Sequence, residues 1–194
     1  MKLKHASVSD LLDARISFVR LSNLQSVVRF SKLEGEMWLT VFTDASLGNL
    51  SDGASSSSGI LVFLRDNSGN VCPLSWRANK IKRVVRSTLA AETLALQEGI
   101  DEGLYLRHLM SEILQQSIPI DIYVDHKGVV DSIRSTKLVS DRKLRIDIAS
   151  LKETLQEVRS VVWVPGPQQL ANCLTKKGAS CEDLHKIFTT GKLN

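Results

Sequence analysis

The stretch WLTVFTD at 38–44 constrains the fold of this chain more than any other. Trp38, Thr40, Phe42 and Asp44 fall on one side of an extended backbone, and Leu39, Val41 and Thr43 fall on the other. β-branched and aromatic residues in this density belong inside a sheet. The run ends in a carboxylate and passes at once into a turn-forming segment with Ser46, Gly48, Asn49, Ser51, Asp52 and Gly53. An acidic side chain at the end of an interior strand stands where a ligand can meet it. Asp44 is therefore expected to be the first member of a metal-binding set of carboxylates.

Further strands follow. GILVFLR (59–65) and VCPLSW (71–76) flank the turn signal DNSGN, so a three-strand antiparallel meander is expected. Pro73 cannot donate to a ladder, which places its strand at an edge. Residues 87–114 form the longest helix candidate, with Ser87 or Thr88 as cap. Leu89, Leu96, Ile100, Leu104, Leu109 and Ile113 make its apolar stripe. Gly99 and Gly103 lie one turn apart and read as a packing groove. IDIYVD (120–125) is a strand that again ends in Asp. Helices are expected at 126–135 and 141–157, a last strand at 161–164, and short helices at 168–176 and 181–188. A meander followed by crossovers gives an α/β fold around a five-stranded mixed sheet, three strands antiparallel and then two parallel.

Residues 1–36 read as a separate leader. A short helix starts near VSD with Ser9 or Asp10 as cap, and QSVVRF (25–30) looks like a strand. The expected division is 1–36, a main domain at 37–180, and a C-terminal helix and tail at 181–194. The 194 residues are 43% apolar, enough to bury a core. Lys and Arg exceed Asp and Glu by 25 to 21, a mild basic bias that suits a polyanionic partner or simply a solvated surface. No apolar run approaches the roughly 18 residues of a membrane span. Cys72, Cys173 and Cys181 lack metal-binding spacing and read as free thiols in a reducing compartment. An intracellular protein is expected, cytoplasmic or nuclear.

Three residues gain force together. Glu92 falls on the stripe of the long helix. Alone it is a ligand, a solvated edge residue, or a partner for Arg86. Asp125 alone is a ligand or a helix cap, and Asp44 alone a ligand or a turn former. Two carboxylates at strand ends and one on the helix above them converge on one point. Clustered carboxylates repel and need cations to stay ionised. Hard oxygen donors select Mg2+, with Mn2+ as a substitute. Two such ions about 4 Å apart activate water and stabilise a leaving 3′ oxygen. His126, beside Asp125, is a lesser candidate for a ligand or proton carrier. Trp76 and Trp163 read as core. The basic run Arg77, Asn79, Lys80, Lys82, Arg83 and Arg86 is a solvated loop or a set of phosphate contacts.

FTDASLGN (42–49), SGILVFL (58–64), PLSWRANK (73–80), RSTLAAETLAL (86–96), IYVDHKGVVDSI (122–133) and WVPGPQQLANCLTKKGA (163–179) resemble, in order and spacing, the RNase H domain of the Pol polyprotein of copia-type LTR retrotransposons. Residues 1–36 resemble the connection that follows reverse transcriptase. The resemblance implies an RNase H-like fold, two Mg2+ ions, and cleavage of the RNA strand of RNA/DNA hybrids. It also implies a reverse transcriptase domain as neighbour in one polyprotein and, within the cell, a virus-like particle. The family's catalytic and metal-binding carboxylates match Asp44, Glu92 and Asp125. Its fourth carboxylate belongs to a motif LAD-x-LTK, which reads LANCLTK here, so the position is Asn172. Loss of that charge is expected to weaken a second ion and reduce cleavage. Arg145 stands where the family commonly carries histidine. A catalytically inactive, nucleic-acid-binding or structural remnant is the alternative function.

Overall fold

The structure, a computed structural model, describes residues 7–23, 27–50, 53–137 and 139–193. The expected five-stranded sheet is present, in the order β3-β2-β1-β4-β5. β1 (Met37–Ser46), β2 (Ser57–Asp66) and β3 (Val71–Lys80) form the antiparallel meander. β4 (Ile120–Val124) lies parallel to β1, and β5 (Ser160–Trp163) parallel to β4. Pro73 does sit on an edge strand. The register shifts at its neighbour Leu74, where Val62 pairs with Ser75 and Phe63 with Pro73.

The alternation of β1 sorts two cores. Leu39 and Val41 face α2 (Thr88–Leu114) and join Ile60, Val62, Leu96, Ile100, Ile120 and Ile122. Phe42 faces the other way and meets Leu61, Phe63, Leu184 and Ile187. α3 (Lys127–Arg134) and α4 (Arg142–Thr154) follow β4. α5 (Asn172–Thr175) and α6 (Glu182–Thr190) follow β5. Ser87 caps α2 by accepting from the Ala90 N–H, as its position in the sequence suggests.

α2 buries the first part of the stripe, Leu96 and Ile100 fully and Leu89 and Leu104 in part, but not its end. Leu109 and Ile113 are exposed. Beside Leu96 and Ile100, the buried face carries Glu92, Gly99 and Gly103. The 27 residues of α2 span about 40 Å at 1.5 Å each, whereas the 10 residues of β1 span about 33 Å. The last turns of the helix therefore overhang the sheet. The two glycines do form the expected groove: a Cβ on Gly99 would overlap Thr43 Cγ2, so the helix lies directly on β1.

Other expectations needed correction. Residues 27–30 form no strand, and Gln25 and Ser26 of that reading lie outside the described residues. α1 (Val8–Asn23) is capped by Ser7 rather than Ser9 or Asp10. The Ser7 Oγ accepts from the Asp10 N–H while the Asp10 carboxylate accepts from the Ser7 N–H, a reciprocal cap. β3 continues through Arg77 to Lys80, so the first part of the basic run is strand and not loop. The helix read at 168–176 is a 3-10 turn at Gly166–Gln168 followed by the single-turn α5. Trp76 and Trp163 are 51% and 46% exposed rather than core. Among the described residues no helix is long and apolar enough to cross a membrane.

Candidate metal centre

Parallel pairing of β1 with β4 brings two aspartates side by side. Thr43 pairs with Val124, so Asp44 and Asp125 follow at the same level where β4 ends. The close approach of α2 at Gly99 then sets the height of Glu92, two turns earlier on the same face. One oxygen from each of Asp44, Glu92 and Asp125 lies within 4.8 Å of the other two. Asp44 is fully buried and Glu92 only 3% exposed, which excludes the solvated-edge reading of Glu92. Its carboxyl accepts from the Ala45 N–H, and Oε2 has no partner. A buried carboxylate oxygen without a partner is costly unless a cation supplies one. The donor set is all oxygen and carries three charges, so it fits a hard divalent ion.

Burial, reinforced by Asp44 and Asp125, pushes the Glu92 carboxyl up to about 9. Burial also raises Asp44, against the pull of Thr175 and Lys176. In the absence of metal, Glu92 therefore holds a proton at neutral pH. A cation must displace that proton, so affinity is expected to rise with pH up to about 9. The stability of the metal-free protein should run the other way. Between the ordinary value of 4.5 and about 9 the folded state binds the extra proton, and stability falls as pH rises. Calorimetric Mn2+ titration at pH about 6 and about 8.5, in buffers of different ionisation enthalpy, measures both affinity and proton release. Equal affinity and no released proton would exclude Glu92 as a ligand.

The segment after β5 closes the site. Gly59 pairs with Asp44 across β1 and β2, and a Cβ there would lie 2.9 Å from both Leu174 Cβ and Thr175 Cγ2. Glycine at 59 thus seats α5 against Asp44. The Thr175 hydroxyl donates to Asp44 Oδ2. Lys176 Nζ lies 3.2 Å from Asp44 Oδ1 and 3.6 Å from Asp125 Oδ2, and it donates to Asn172 Oδ1. Burial works against its charge, but Asp44, Asp125 and Glu92 outweigh that and raise its pKa. Gln169, 3% exposed, ties the strand ends together by donating from Nε2 to the Thr43 and Tyr123 carbonyls. Gln169, Thr175 and Lys176 stand in the stretch WVPGPQQLANCLTKKGA, but nothing in the sequence gives them an individual role. Lys176 stands one helical turn after Asn172, a spacing that puts the two side chains together.

His126 stands next to the cluster as the N-cap position of α3, and its ring packs against Gly128. The basic run is divided. Arg77 pairs with Glu102 at 3.4 Å, and Arg83 forms a two-pronged pair with Asp147. Lys82 and Arg86 are exposed. Asn79 and Lys80 instead line a groove of about 370 Å³ together with Lys176 and Lys177. The three cysteines are free, and burial followed by the nearby Cys181 pushes the Cys173 thiol up to about 12.

Solved structures share this architecture. The N-terminal RNase H domain of rv2228c from Mycobacterium tuberculosis aligns with a TM-score of 0.54 at 16% identity, over 78% of this chain and 97% of that one. RNase H1 from Halobacterium salinarum aligns at 0.52 and 16%, over 75% and 97%. The fold is that of ribonuclease H. LC11-RNase H1, solved in complex with an RNA/DNA hybrid, aligns at 0.51 and 18%, over 71% and 93%. In sequence the chain is similar to the retrovirus-related Pol polyproteins from transposons RE2 and RE1 of Arabidopsis thaliana. It is 29% identical to each over 150 residues, which is 76% of this chain. The match spans 10% of the length of those polyproteins. No protein-family model matches the chain.

Proposed function

We propose that this RNase H-fold chain is a divalent-metal endonuclease that cuts the RNA strand of RNA/DNA hybrids. The observation that carries this reading is the convergence of Asp44, Glu92 and Asp125 around a buried Glu92 oxygen with no partner. Bound Mg2+ or Mn2+ would lower the pKa of a water and neutralise charge building on the phosphate. The chain's own part is to hold that charge in place. Gln169 fixes the ends of β1 and β4, Thr175 orients Asp44, and Ala45 orients Glu92. The groove beside the cluster offers Asn79, Lys80 and Lys177 to phosphates. Selection of hybrid would rest on A-form geometry and 2′-hydroxyls and not on base sequence. The hybrid bound to LC11-RNase H1 supports this choice of substrate. Residues 1–36 are proposed as the connection from a preceding reverse transcriptase, consistent with the Pol polyprotein relatives.

The deciding assay incubates the protein with a labelled RNA/DNA hybrid and a matched DNA duplex, in Mg2+, in Mn2+ and in chelator. Cutting of the RNA strand alone, abolished by chelator, is the expected result. Hybrid binding without cutting would favour an inactive binding domain, the reading that Asn172 supports. Replacing Lys80 or Lys177 by Ala should each lower the slope of log affinity against log salt by roughly 0.9. An unchanged slope in both would remove the groove from the hybrid interface.

A further inference from the structure

The carboxylate cluster already contains a cation of its own. Lys176 Nζ touches Asp44 Oδ1, Asp125 Oδ2 and Asn172 Oδ1. Its ammonium thereby takes up one oxygen from each of two carboxylates, and the amide oxygen of Asn172. We propose that Lys176 supplies the second positive charge of the site, which therefore holds a single divalent ion beside it. The inference rests on reading Asp44, Glu92 and Asp125 as metal ligands.

The placement of Lys176 follows from the backbone and from its neighbours. α5 is one turn long, and the Lys176 N–H closes it by donating to the Asn172 carbonyl at 2.9 Å. Gly59 lets that turn approach the sheet. Thr175 and Lys176 then engage the two Asp44 oxygens, one each. Asn172 is suited to this arrangement. Its Nδ2 donates to the Gly166 carbonyl at 2.7 Å, which turns Oδ1 toward Lys176. An aspartate at 172 could not make that donation.

Charge fits the same picture. Asp44, Glu92 and Asp125 carry three negative charges when ionised. One divalent ion and one ammonium match them, whereas two divalent ions would leave an excess of positive charge in a buried site. A fourth carboxylate would correct that excess, and position 172 has an amide instead. Among the oxygens that Lys176 leaves for the divalent ion is Glu92 Oε2, in a side chain more than nine-tenths buried and without a partner.

The experiment counts Mn2+ bound to the full chain by electron paramagnetic resonance and calorimetry, without nucleic acid. The parent protein and Asn172→Asp, which both keep Lys176, should bind one ion. The double variant Lys176→Met/Asn172→Asp, with a fourth carboxylate and no ammonium, should bind two. Two ions of comparable affinity in the parent would overturn the proposal, as would a single ion in a folded double variant. The parent count stands even if the double variant fails to fold. A parent that binds no ion removes the metal-centre reading itself, and with it this inference. A parent that binds two ions removes only the role of Lys176.

Discussion

Asp44→Asn is expected to reduce metal-dependent hybrid cleavage about a thousandfold or more, equivalent to about 4 kcal/mol of transition-state stabilisation. Asp44 supplies one of the three converging carboxylates. It shares a cation-sized space with Glu92 and Asp125 and is fully buried. An amide at this position still accepts from Thr175 but contributes no charge. The same change should leave the metal-free fold intact or make it more stable, because burial already disfavours the Asp44 carboxylate. Thermal denaturation in chelator and in excess Mn2+ would separate the two effects. The parent should gain stability from Mn2+, and the variant should gain little. Cleavage within tenfold of the parent would show that Asp44 is not a ligand.

Gly99→Ala and Gly103→Ala should differ in sign although both replace a helical glycine. Alanine in a helix interior is favoured over glycine by about 1 kcal/mol. At Gly103 the new methyl would lie 3.4 Å from Val41 Cγ2 and 3.5 Å from Ile120 Cγ2, near ordinary contact, so stabilisation of up to about 1 kcal/mol is expected. At Gly99 it would overlap Thr43 Cγ2, and overpacking of a tight core costs about 1–3 kcal/mol, outweighing the propensity gain. A melting temperature lower by about 2–8 °C follows for a chain of this size. The overlap also lifts the part of α2 that carries Glu92, so metal affinity should fall with stability. A Gly99→Ala protein as stable as the parent would mean that α2 does not rest on β1 through this residue.

The two signals that proved most informative in the sequence were alternation and the residue that ends it. WLTVFTD and IDIYVD each showed a strand with a carboxylate at its exit, and parallel pairing put those exits together. Glu92 was legible because a charge on an apolar stripe demands a partner. What remained hidden depended on lengths and neighbours that one segment does not contain. Leu109 and Ile113 keep helical spacing yet have no sheet beneath them, because α2 outruns β1. Trp76 and Trp163 look like core by composition but stand on exposed positions of β3 and β5. The Trp163 indole instead donates to the Asp125 carbonyl at 2.9 Å, next to the site. Lys176 was read only as part of a motif, since nothing local reveals that its ammonium reaches two aspartates from distant strands.

The early and late segments of the described chain meet at one place. The Arg29 N–H donates to the Phe188 carbonyl, Ser31 Oγ donates to the Gly191 carbonyl, and Leu193 pairs with Gly69 in the turn between β2 and β3. That turn adjoins the start of β1, and the carboxylates lie toward its other end, about 20 Å away along the strand. Changes to the contacts of Arg29, Ser31, Phe188, Gly191 and Leu193 would therefore act at the end of the sheet away from the carboxylates and leave the groove at Asn79 and Lys80 unaltered.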